Sequence, residues 1–549
     1  MAIVERPTRE THEVFNQPPP LGAFNAFEAN LPFVESLERE GGGWAREHVS
    51  GLGALTGDPE VRELARVANE NPPVLRTHDR YGNRMDEVEF HPAWHELLGI
   101  AVEREIPSFA WRHPEPGAQV ARTALMMLCP ESGVGCPVSM TYAVIPALRK
   151  QPELAEEWEP RLTSNVYDRR FIPAPEKAGA LAGMGMTEKQ GGSDVRANTT
   201  TARALDGGGP AGEYELTGHK WFFSAPMCDV FLVLAQAEGG LSCFLVPRFT
   251  PDGERNALHL QRLKDKLGNR SNASSEVEFR GTWARMVGEE GRGVPTIIDM
   301  VNHTRLDCVA GSASGMRRAV ELATWHTAHR AAFGKLLAEQ PLMQNVLADL
   351  CLESEAATVT ALRLARAFDD PEQELFKRIA TAVSKYWVCK RAPVVAGEAL
   401  ECLGGNGYVE ESGMPRLYCE MPLNSIWEGS GNVQCLDVLR ALAKSPPTLE
   451  AFFGEIDEAA GADARLDAFV AATRDELTDP DGMEARARRI VERMAKALQA
   501  SLLVRFSPPV VADAYIASRL AGDAGLAFGT LPAGADLPGI VERHRLALA

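Results

Sequence analysis

A glycine-rich loop followed by an aromatic segment is the feature that most limits what this chain can fold into. Residues 183–194 read GMGMTEKQGGSD, and residues 220–224 read KWFFS. The glycines let backbone amides approach a ligand closely, and Thr187 and Ser193 add hydroxyl groups that can bind it. The two phenylalanines of the second segment offer a flat apolar wall beside those donors. The combination predicts a site for a large, flat cofactor that carries phosphate groups.

Glycine-rich loops also occur as ordinary turns before a strand, and the glycines alone favour that interpretation. The loop has neither the G-x-G-x-x-G spacing of dinucleotide-binding domains nor the Gly-Lys-Ser/Thr ending of a P-loop, which argues against those two modes of nucleotide binding. It resembles the Thr-Glu-x-x-x-Gly-Ser-Asp segment of the acyl-CoA dehydrogenase flavoproteins. Further matches to this family recur in the same order over most of the chain.

The composition limits the class of protein. A chain of 549 residues has room for three or four structural units, and 45% hydrophobic residues suffice for real cores. The net charge of −18 argues against a surface that binds nucleic acid or anionic lipid all over, so any DNA contact must be local. The ten cysteines are scattered without a C-x-x-C pair, which indicates neither a disulfide framework nor a zinc site. We therefore expect no bound metal.

The hydropathy pattern bears on localisation. No apolar run approaches the roughly 18 residues that a membrane span needs, and the polar, proline-rich N-terminus lacks the apolar region of a signal peptide. We expect a soluble, cytoplasmic protein without a membrane partner.

The residue pattern changes three times along the chain. It predicts helices, then short strands, then long helices and finally a helical tail, over residues 1–183, 184–292, 293–445 and 446–549. The predicted fold class is therefore α+β and mainly α. The resemblance implies an acyl-CoA dehydrogenase-like fold with an N-terminal helical domain, a small middle β domain and a four-helix bundle that builds a homotetramer. The tail exceeds the ordinary length of the family and implies an additional helical domain.

Local signals refine these boundaries. Pro130, Pro137 and Pro146 are expected to punctuate the helices of the first region. Strands are predicted at 214–217, 220–223, 230–235, 241–246 and 275–279. Helical stripes are predicted at 317–330, 343–364 and 483–498. Two early stretches, 11–21 and 71–95, would alone be interpreted as ordered loops with buried aromatic residues. They resemble the N-terminal extension of the family's subgroup that acts in the adaptive response to DNA alkylation.

The resemblance implies FAD as the cofactor and assigns its contacts residue by residue. Thr187 and Ser193 would bind the pyrimidine edge and the pyrophosphate, and Ser224 would lie near flavin N5. Phe222 stands where many family members place a tryptophan against the flavin ring, and it keeps an apolar face. The FAD contacts implied in these two segments are Met184, Gly185, Met186, Thr187, Gly191, Gly192, Ser193, Phe222, Phe223 and Ser224.

Two later segments resemble parts of the family that contact the FAD of a neighbouring subunit or its adenine end. The segment RAAFGKLLAEQ at 330–340 resembles the family's Arg-x-x-Phe-Gly motif, and LGGNGY at 403–408 resembles its second glycine motif. A guanidinium suits pyrophosphate because it stays charged and donates two parallel bonds, although a solvated helix arginine is the alternative. Glu401 departs from the family pattern and is left out of the site. The contacts implied here are Arg330, Phe333, Gln340, Gly404 and Gly405.

The candidate catalytic residue is Glu428, in the segment NSIWEGSGN at 424–432. In the family, the glutamate of the matching segment removes the α-proton of an acyl-CoA thioester while hydride leaves the β-carbon for flavin N5. A carboxylate can do this where desolvation raises its basicity. An exposed loop glutamate is the alternative. Neighbouring residues assigned to the cofactor by the same resemblance are Ile426, Trp427, Gly429, Ser430, Gly431 and Asn432.

The tail carries a basic ridge, composed of Arg486, Arg489, Arg493 and Lys496 at spacings that align on one helix face. Such a ridge could contact double-stranded DNA, and Arg440 is a further candidate by resemblance. Charged ridges are usually solvated faces, and residues 446–549 contain 16 acidic against 11 basic residues.

Three hypotheses about function follow. The first is an FAD-containing homologue of the adaptive-response subgroup that binds double-stranded DNA and has weak, isovaleryl-type acyl-CoA dehydrogenase activity. The second is a metabolic acyl-CoA dehydrogenase without a role in DNA. The third is a DNA-shielding protein in which flavin is only structural.

Overall fold

The computed structural model describes residues 11–546, and the first helical region contains a small hairpin. The hairpin strands are β1 (Val74–His78) and β2 (Arg84–Glu89). The predicted stretch 71–95 thus contains an antiparallel hairpin, followed by Phe90 stacked on Trp94 at 3.7 Å between ring centroids. The helices are α1 (Leu31–Arg39), α2 (Arg46–Thr56), α3 (Pro59–Glu70), α4 (Pro92–Glu103), α5 (Phe109–Arg112), α6 (Ala118–Met127), α7 (Ser132–Leu148) and α8 (Pro152–Leu162).

Helix α7 corrects one expectation about the prolines. Pro137 and Pro146 lie inside this single helix and do not separate two helices. Proline has no N–H, so Pro146 cannot donate to the carbonyl of Tyr142 one turn earlier. The indole N–H of Trp111 donates to that carbonyl instead, at 2.9 Å. Because nearly all of α7 is buried, packing outweighs the cost of about 3 kcal/mol for a proline in a helix interior.

The middle region is a seven-stranded sheet that curls upon itself. Its strands are β3 (Ala182–Gly185), β4 (Thr201–Ala204), β5 (Glu213–Ser224), β6 (Val230–Ala237), β7 (Gly240–Pro247), β8 (Leu258–Leu263) and β9 (Ser274–Val287). The order is β3-β6-β4-β5-β9-β7, with β8 paired to β9 and β6 also paired to β7. The predicted strands at 214–217 and 220–223 form one strand, β5. The short β3, β4 and β8 had no strand prediction.

Long helices form the bundle after the sheet. They are α9 (Gly293–His329), α10 (Pro341–Asp369), α11 (Glu374–Cys402) and α13 (Gly431–Lys444), with the short α12 (Met414–Glu420) before the last. A small hairpin joins α9 to α10, and its two strands have two residues each: β10 (Ala331–Ala332) and β11 (Lys335–Leu336). The predicted stripe at 343–364 lies within α10. The stripe at 317–330 lies in α9 up to His329, and Arg330 follows the helix as its C-cap.

The tail packs directly on this bundle. Its helices are α14 (Pro447–Asp457), α15 (Ala464–Thr478), α16 (Met483–Phe506), α17 (Pro509–Tyr515) and α18 (Leu537–Glu542), with a π-helical turn at Ile516–Leu520. Gln499 in α16 accepts hydrogen bonds from Trp387 of α11 and Tyr515 of α17 at 3.0 and 2.7 Å. Arg519 pairs with Asp349 and Glu353 of α10. The tail therefore shares a core with the bundle.

Across residues 11–546, none of the helices combines the length and the apolar character that a membrane-spanning segment needs.

Candidate active site

A continuous cavity of about 1310 Å³, the central cavity, lies where the sheet, α6, α7, α9 and the segment before α13 meet. It brings together most of the residues that the glycine loop, the aromatic segment and the Glu428 segment contribute. The predicted site residues that line it are Met184, Met186, Thr187, Gly192, Ser193, Phe222, Ser224, Ile426, Trp427, Glu428, Gly429, Ser430 and Arg440.

The glycine loop can fold back on itself only because of its glycines. Gly191 adopts φ +132°, and a Cβ atom on Gly192 would lie 2.3 Å from the hydroxyl oxygen of Thr187. The loop is also fixed from beneath by an ion pair between Glu188 and Lys220 at 2.8 Å, with both side chains fully buried. Sequence analysis identified the loop but missed this pair, which explains why Thr187 and Ser193 are presented to the cavity.

The two adjacent phenylalanines have different roles. Successive side chains of a strand point to opposite faces. Phe222 is 53% exposed and lines the cavity, whereas Phe223 is fully buried. The Phe223 ring packs on Phe231 with a centroid distance of 4.3 Å, and a Cβ atom on Gly185 would lie 2.7 Å from it. The flat wall predicted from both rings is therefore provided by Phe222 alone.

Ser224 joins the sheet to α7 at the cavity wall. Its hydroxyl oxygen accepts a hydrogen bond from the Asn272 amide at 3.0 Å and from the Cys136 thiol at 3.2 Å. These contacts fix the position of the hydroxyl group, which can bind a ligand in the cavity.

The loop that carries Glu428 has an unusual backbone. Glu428 adopts φ +58° and Gly429 adopts φ +97°, both in the left-handed region. For a residue other than glycine this conformation costs about 1–3 kcal/mol and persists only where the surroundings hold it. The carboxylate oxygen Oε2 of Glu428 is buried and has no hydrogen-bond partner among the described residues. The loop therefore holds a carboxylate with one unpaired oxygen at the cavity wall.

Three side chains hold this loop through its carbonyl oxygens. Lys385 Nζ donates to the carbonyls on either side of Glu428 at 2.7 and 2.6 Å. Arg305 Nε donates to the Glu428 carbonyl at 3.1 Å, and Gln434 Nε2 donates to the same oxygen at 2.9 Å. Sequence analysis missed all three. The lone charge of Lys385 in the apolar stretch 379–389 is a signal that could have revealed one of them.

A second set of ion pairs ties these anchors to the bundle. Arg305 pairs with Asp437 at 2.9 Å, and Arg378 pairs with the same carboxylate at 2.7 Å. These contacts join α9, α11 and α13 around the Glu428 loop.

The electrostatic surroundings make Glu428 a stronger base than an ordinary glutamate. Burial raises the pKa of its carboxyl, and the Thr304 hydroxyl and the nearby positive charges of Lys385 and Arg305 only partly oppose this. A desolvated carboxylate with one oxygen left without a hydrogen-bond donor gains by taking up a proton. The arrangement is therefore suited to abstract a proton from a ligand in the cavity.

Several predicted cofactor residues lie outside the cavity. Arg330 Nη1 donates to the Asn16 carbonyl at 2.7 Å, Gln340 donates to the Ala332 carbonyl at 3.2 Å, and the Phe333 side chain is fully exposed. Open space surrounds the Cα atoms of Gly404 and Gly405. The predicted residues that do not line the cavity are Gly185, Gly191, Phe223, Arg330, Phe333, Gln340, Gly404, Gly405, Gly431 and Asn432.

The basic ridge of α16 is occupied by carboxylates of its own chain. Glu476 accepts Arg489 at 3.1 Å, Arg493 at 3.5 Å and Arg486 at 3.7 Å. Lys496 pairs with Glu492 at 2.5 Å. Arg440 differs, because it is exposed at the cavity rim on α13.

The residues present fit FAD. The cavity has room for a large ligand, Phe222 exposes a flat ring, and the hydroxyl groups of Thr187, Ser193 and Ser224 face the same space. An isoalloxazine ring needs an apolar surface on one side and hydrogen-bonding groups at its edge, and this donor set provides both. Glu428 lies at the same cavity, with one carboxylate oxygen left unpaired.

A helical domain, a β domain and a helical bundle around such a cavity define the class of acyl-CoA dehydrogenase flavoproteins. Residues 183–282 match the acyl-CoA dehydrogenase middle domain, and residues 291–443 match the acyl-CoA dehydrogenase C-terminal domain. Residues 16–169 match the N-terminal domain of the adaptive response protein AidB. FAD is the cofactor of this class.

Individual relatives narrow the assignment. AidB of Escherichia coli K12 is 45% identical over 513 residues, which are 92% of this chain and 94% of that protein. Acyl-CoA dehydrogenase family member 11 of Caenorhabditis elegans is 33% identical over 427 residues, 73% of this chain and 67% of that protein. The crystal structure of Caenorhabditis elegans ACDH-11 in complex with C11-CoA superposes with a TM-score of 0.84 and 26% identity, covering 96% of this chain and 97% of that one. The chain belongs to the AidB branch of the acyl-CoA dehydrogenase family.

Proposed function

We propose that this protein is an FAD-dependent acyl-CoA dehydrogenase in which Glu428 removes the α-proton of the thioester substrate. The observation that carries the proposal is the buried, unpaired Oε2 of Glu428 in a left-handed loop at the central cavity. The solved relative with C11-CoA supports an acyl-CoA as the ligand class. When bound, FAD supplies the acceptor for the hydride that leaves the β-carbon.

The chain's own residues have separate tasks in this proposal. Thr187, Ser193 and Ser224 bind the cofactor, and Phe222 packs against its ring. Lys385 and Arg305 hold the Glu428 loop through its carbonyls, so that the carboxylate is in place before the substrate arrives. A preorganised base of this kind avoids the cost of reorganisation during the reaction.

We also propose a homotetramer in which neighbouring subunits complete the cofactor site. The sequence assigns Arg330 and Phe333 to FAD, yet both lie outside the cavity of their own chain. Phe333 and Leu342 are large apolar side chains that stand exposed near the β10–β11 hairpin. A second copy that covers this region would bury them and bring Arg330 to a cofactor. Analytical ultracentrifugation should show a tetramer, and Arg330→Gln should weaken FAD binding; a monomer that binds FAD fully would contradict the proposal.

The direct test of the enzyme proposal is an anaerobic reaction. The FAD-loaded protein is mixed with isovaleryl-CoA or a longer acyl-CoA, and the thioester is analysed by mass spectrometry. We expect one enoyl-CoA per reduced flavin, although turnover with isovaleryl-CoA should be weak. If the protein binds FAD and acyl-CoA but yields no enoyl product, the enzyme proposal is wrong and the cofactor has only a structural role.

A second proposed function is a part in the adaptive response to DNA alkylation through binding of double-stranded DNA in the cytoplasm. The supporting observation is the match of residues 16–169 to the AidB N-terminal domain. Because the α16 ridge is paired internally, we assign the main duplex contact to Arg440 at the cavity rim. On the ridge we assign a contact to Arg489 alone, which pairs with Glu476 but keeps a side chain that is 71% exposed. A metabolic dehydrogenase would lack this contact.

Duplex binding is tested across salt concentrations. Arg440→Gln should lower the slope of log affinity against log salt by about one, which is the contribution of one phosphate contact. Removing the tail is a poor test, since α16 shares a core with the bundle. Affinity that does not change with salt, in wild type and variant alike, would exclude specific duplex binding.

A further inference from the structure

The central cavity continues well beyond Glu428. Arg305 of α9 contacts the Glu428 carbonyl, and Arg318, thirteen residues further along the same helix, also lines the cavity. At 1.5 Å per residue, these two positions are about 20 Å apart along α9. The wall between them is largely apolar and includes Met126, Met127, Leu417 and Met421. A long methylene chain fits such a wall.

The far end of the cavity is cationic. Three arginines from different helices line it: Arg62 of α3, Arg318 of α9 and Arg416 of α12. The Nη1 atom of Arg416 and the Nε atom of Arg62 are buried without hydrogen-bond partners in the part of the chain that the structure describes. Burial lowers the pKa of both groups, to about 10 for Arg62. A buried guanidinium with unpaired N–H groups is costly unless an anion binds it.

The carboxylates nearby are already engaged. Glu321 pairs with Arg317 and Arg318, both at 3.1 Å. Glu131 accepts from the Ser271 hydroxyl at 2.6 Å, and Glu420 accepts from the Asn269 backbone at 2.6 Å.

Glu131 and Glu420 neutralise the three arginines of the cationic end only in part. Burial, and then the neighbouring Glu131, raises the pKa of Glu420, so the pair retains a proton above the ordinary carboxyl range. The end of the cavity therefore keeps a positive charge and can donate hydrogen bonds.

We propose that Arg416, with Arg318 and Arg62, binds a carboxylate at the far end of the acyl chain, so that the substrates are long-chain ω-carboxyacyl-CoA thioesters. The inference rests on the proposed acyl-CoA dehydrogenase function. A planar guanidinium forms two parallel bonds to a carboxylate. The apolar wall between Glu428 and this cluster suits the acyl tail, whereas the coenzyme A portion of the thioester is polar.

The test uses two ligands with the same number of carbons, hexadecanedioyl-CoA and palmitoyl-CoA. Both are titrated calorimetrically into full-length, FAD-loaded protein that carries Glu428→Gln to prevent turnover. The ω-carboxylate should tighten binding by about tenfold to a hundredfold, the range for a hydrogen bond to a charged group. Adding Arg416→Gln should abolish this difference, and Arg416→Lys should restore part of it. Arg203→Gln, an exposed arginine on β4, is the matched control and should leave the difference unchanged.

Other outcomes separate the two proposals. Equal affinity for the two thioesters overturns the inference and leaves the dehydrogenase proposal intact. If Arg416→Gln weakens the binding of both thioesters equally, Arg416 has only a structural role, and the inference is also overturned. Coenzyme A alone should bind equally to the protein with and without Arg416→Gln. If the substitution weakens coenzyme A binding, Arg416 contacts the coenzyme A phosphates instead. If FAD-loaded protein binds neither thioester, both proposals fail.

Discussion

The Glu428 loop and the α16 ridge present charges in opposite ways. Glu428 is one carboxylate with an unpaired, buried oxygen in a left-handed backbone. The ridge has four basic side chains, and each of them lies within ion-pair distance of a carboxylate of its own chain. The region with more charged groups is thus the one in which the fold pairs the charges. Of these two regions, the one with the unpaired oxygen lies at the central cavity.

The Glu428 loop and the ridge also differ in their contributions to the free energy of the fold. The loop stores backbone strain that Lys385, Arg305 and Gln434 must hold in place. The ridge pairs are half-buried, with Glu476 12% exposed and Arg489 71% exposed. Because their basic side chains still reach solvent, we expect a contribution of about 0–1 kcal/mol, as for a surface ion pair. Substitutions at the loop should therefore have large effects on activity, and substitutions at the ridge should have small effects on stability.

The largest effect is expected when the loop loses its main anchor. Lys385→Met leaves the Trp427 carbonyl without its donor, at about 1–3 kcal/mol, whereas the Gly429 carbonyl keeps the hydrogen bond from Gln434 at 2.9 Å. We expect the free energy of unfolding to fall by roughly 1–3 kcal/mol and dehydrogenation to fall by more than about tenfold. Denaturant unfolding and anaerobic flavin reduction measure the two effects. Lys390→Met, at an exposed position of the same helix, is the control; equal behaviour of the two variants would contradict the anchoring role.

The pH dependence of flavin reduction gives a smaller and graded effect. Only the ionised carboxylate of Glu428 can take the proton, and burial raises its pKa. The rate should therefore rise with pH until the raised pKa is passed, and below it should fall about tenfold per pH unit. Removing the positive charge in Lys385→Met should shift this fall in rate to higher pH, because the cation favours the ionised form of Glu428. A rate that stays constant down to the ordinary carboxyl pKa would show that another group is the base.

The smallest effect is expected at the ridge. Glu476→Gln removes the shared partner of Arg486, Arg489 and Arg493. We expect the free energy of unfolding to fall by about 1 kcal/mol, with unchanged dehydrogenation and tighter duplex binding at low salt. Glu484→Gln, on α16 itself, serves as the control. If Glu476→Gln impaired flavin reduction as strongly as Lys385→Met, the contrast between the two regions would be wrong.

Much of the architecture could be predicted from local patterns. The order of helical and β regions, the AidB-branch family and FAD follow from motifs such as TEKQGGSD and SIWEGSGN, which are long enough to be specific. The strands β3, β4 and β8 were not predicted. Two of them have only four residues each, too few for an alternating pattern. The continuity of α7 depends on Trp111, which lies far from Pro146 in sequence.

The site could be predicted only in part for the same reason. Glu428 and the glycine loop carry their own motifs, but Lys385 and Arg305 reach the loop from two separate helices, and no local pattern connects them. The ridge shows the converse case. Its spacing on α16 was correct, but the partner Glu476 comes from α15, so the ridge was expected to be freer than it is.

The measurement that tests the account most directly compares Glu428→Gln with Glu401→Gln in FAD-loaded protein. Glu401 is an exposed glutamate that does not line the cavity. Anaerobic stopped-flow mixing with a reactive acyl-CoA should show flavin reduction slowed by about 10²–10⁴-fold in Glu428→Gln and unchanged in Glu401→Gln, with acyl-CoA binding retained in both. Flavin reduction at the wild-type rate in Glu428→Gln would contradict the assignment of Glu428 as the base.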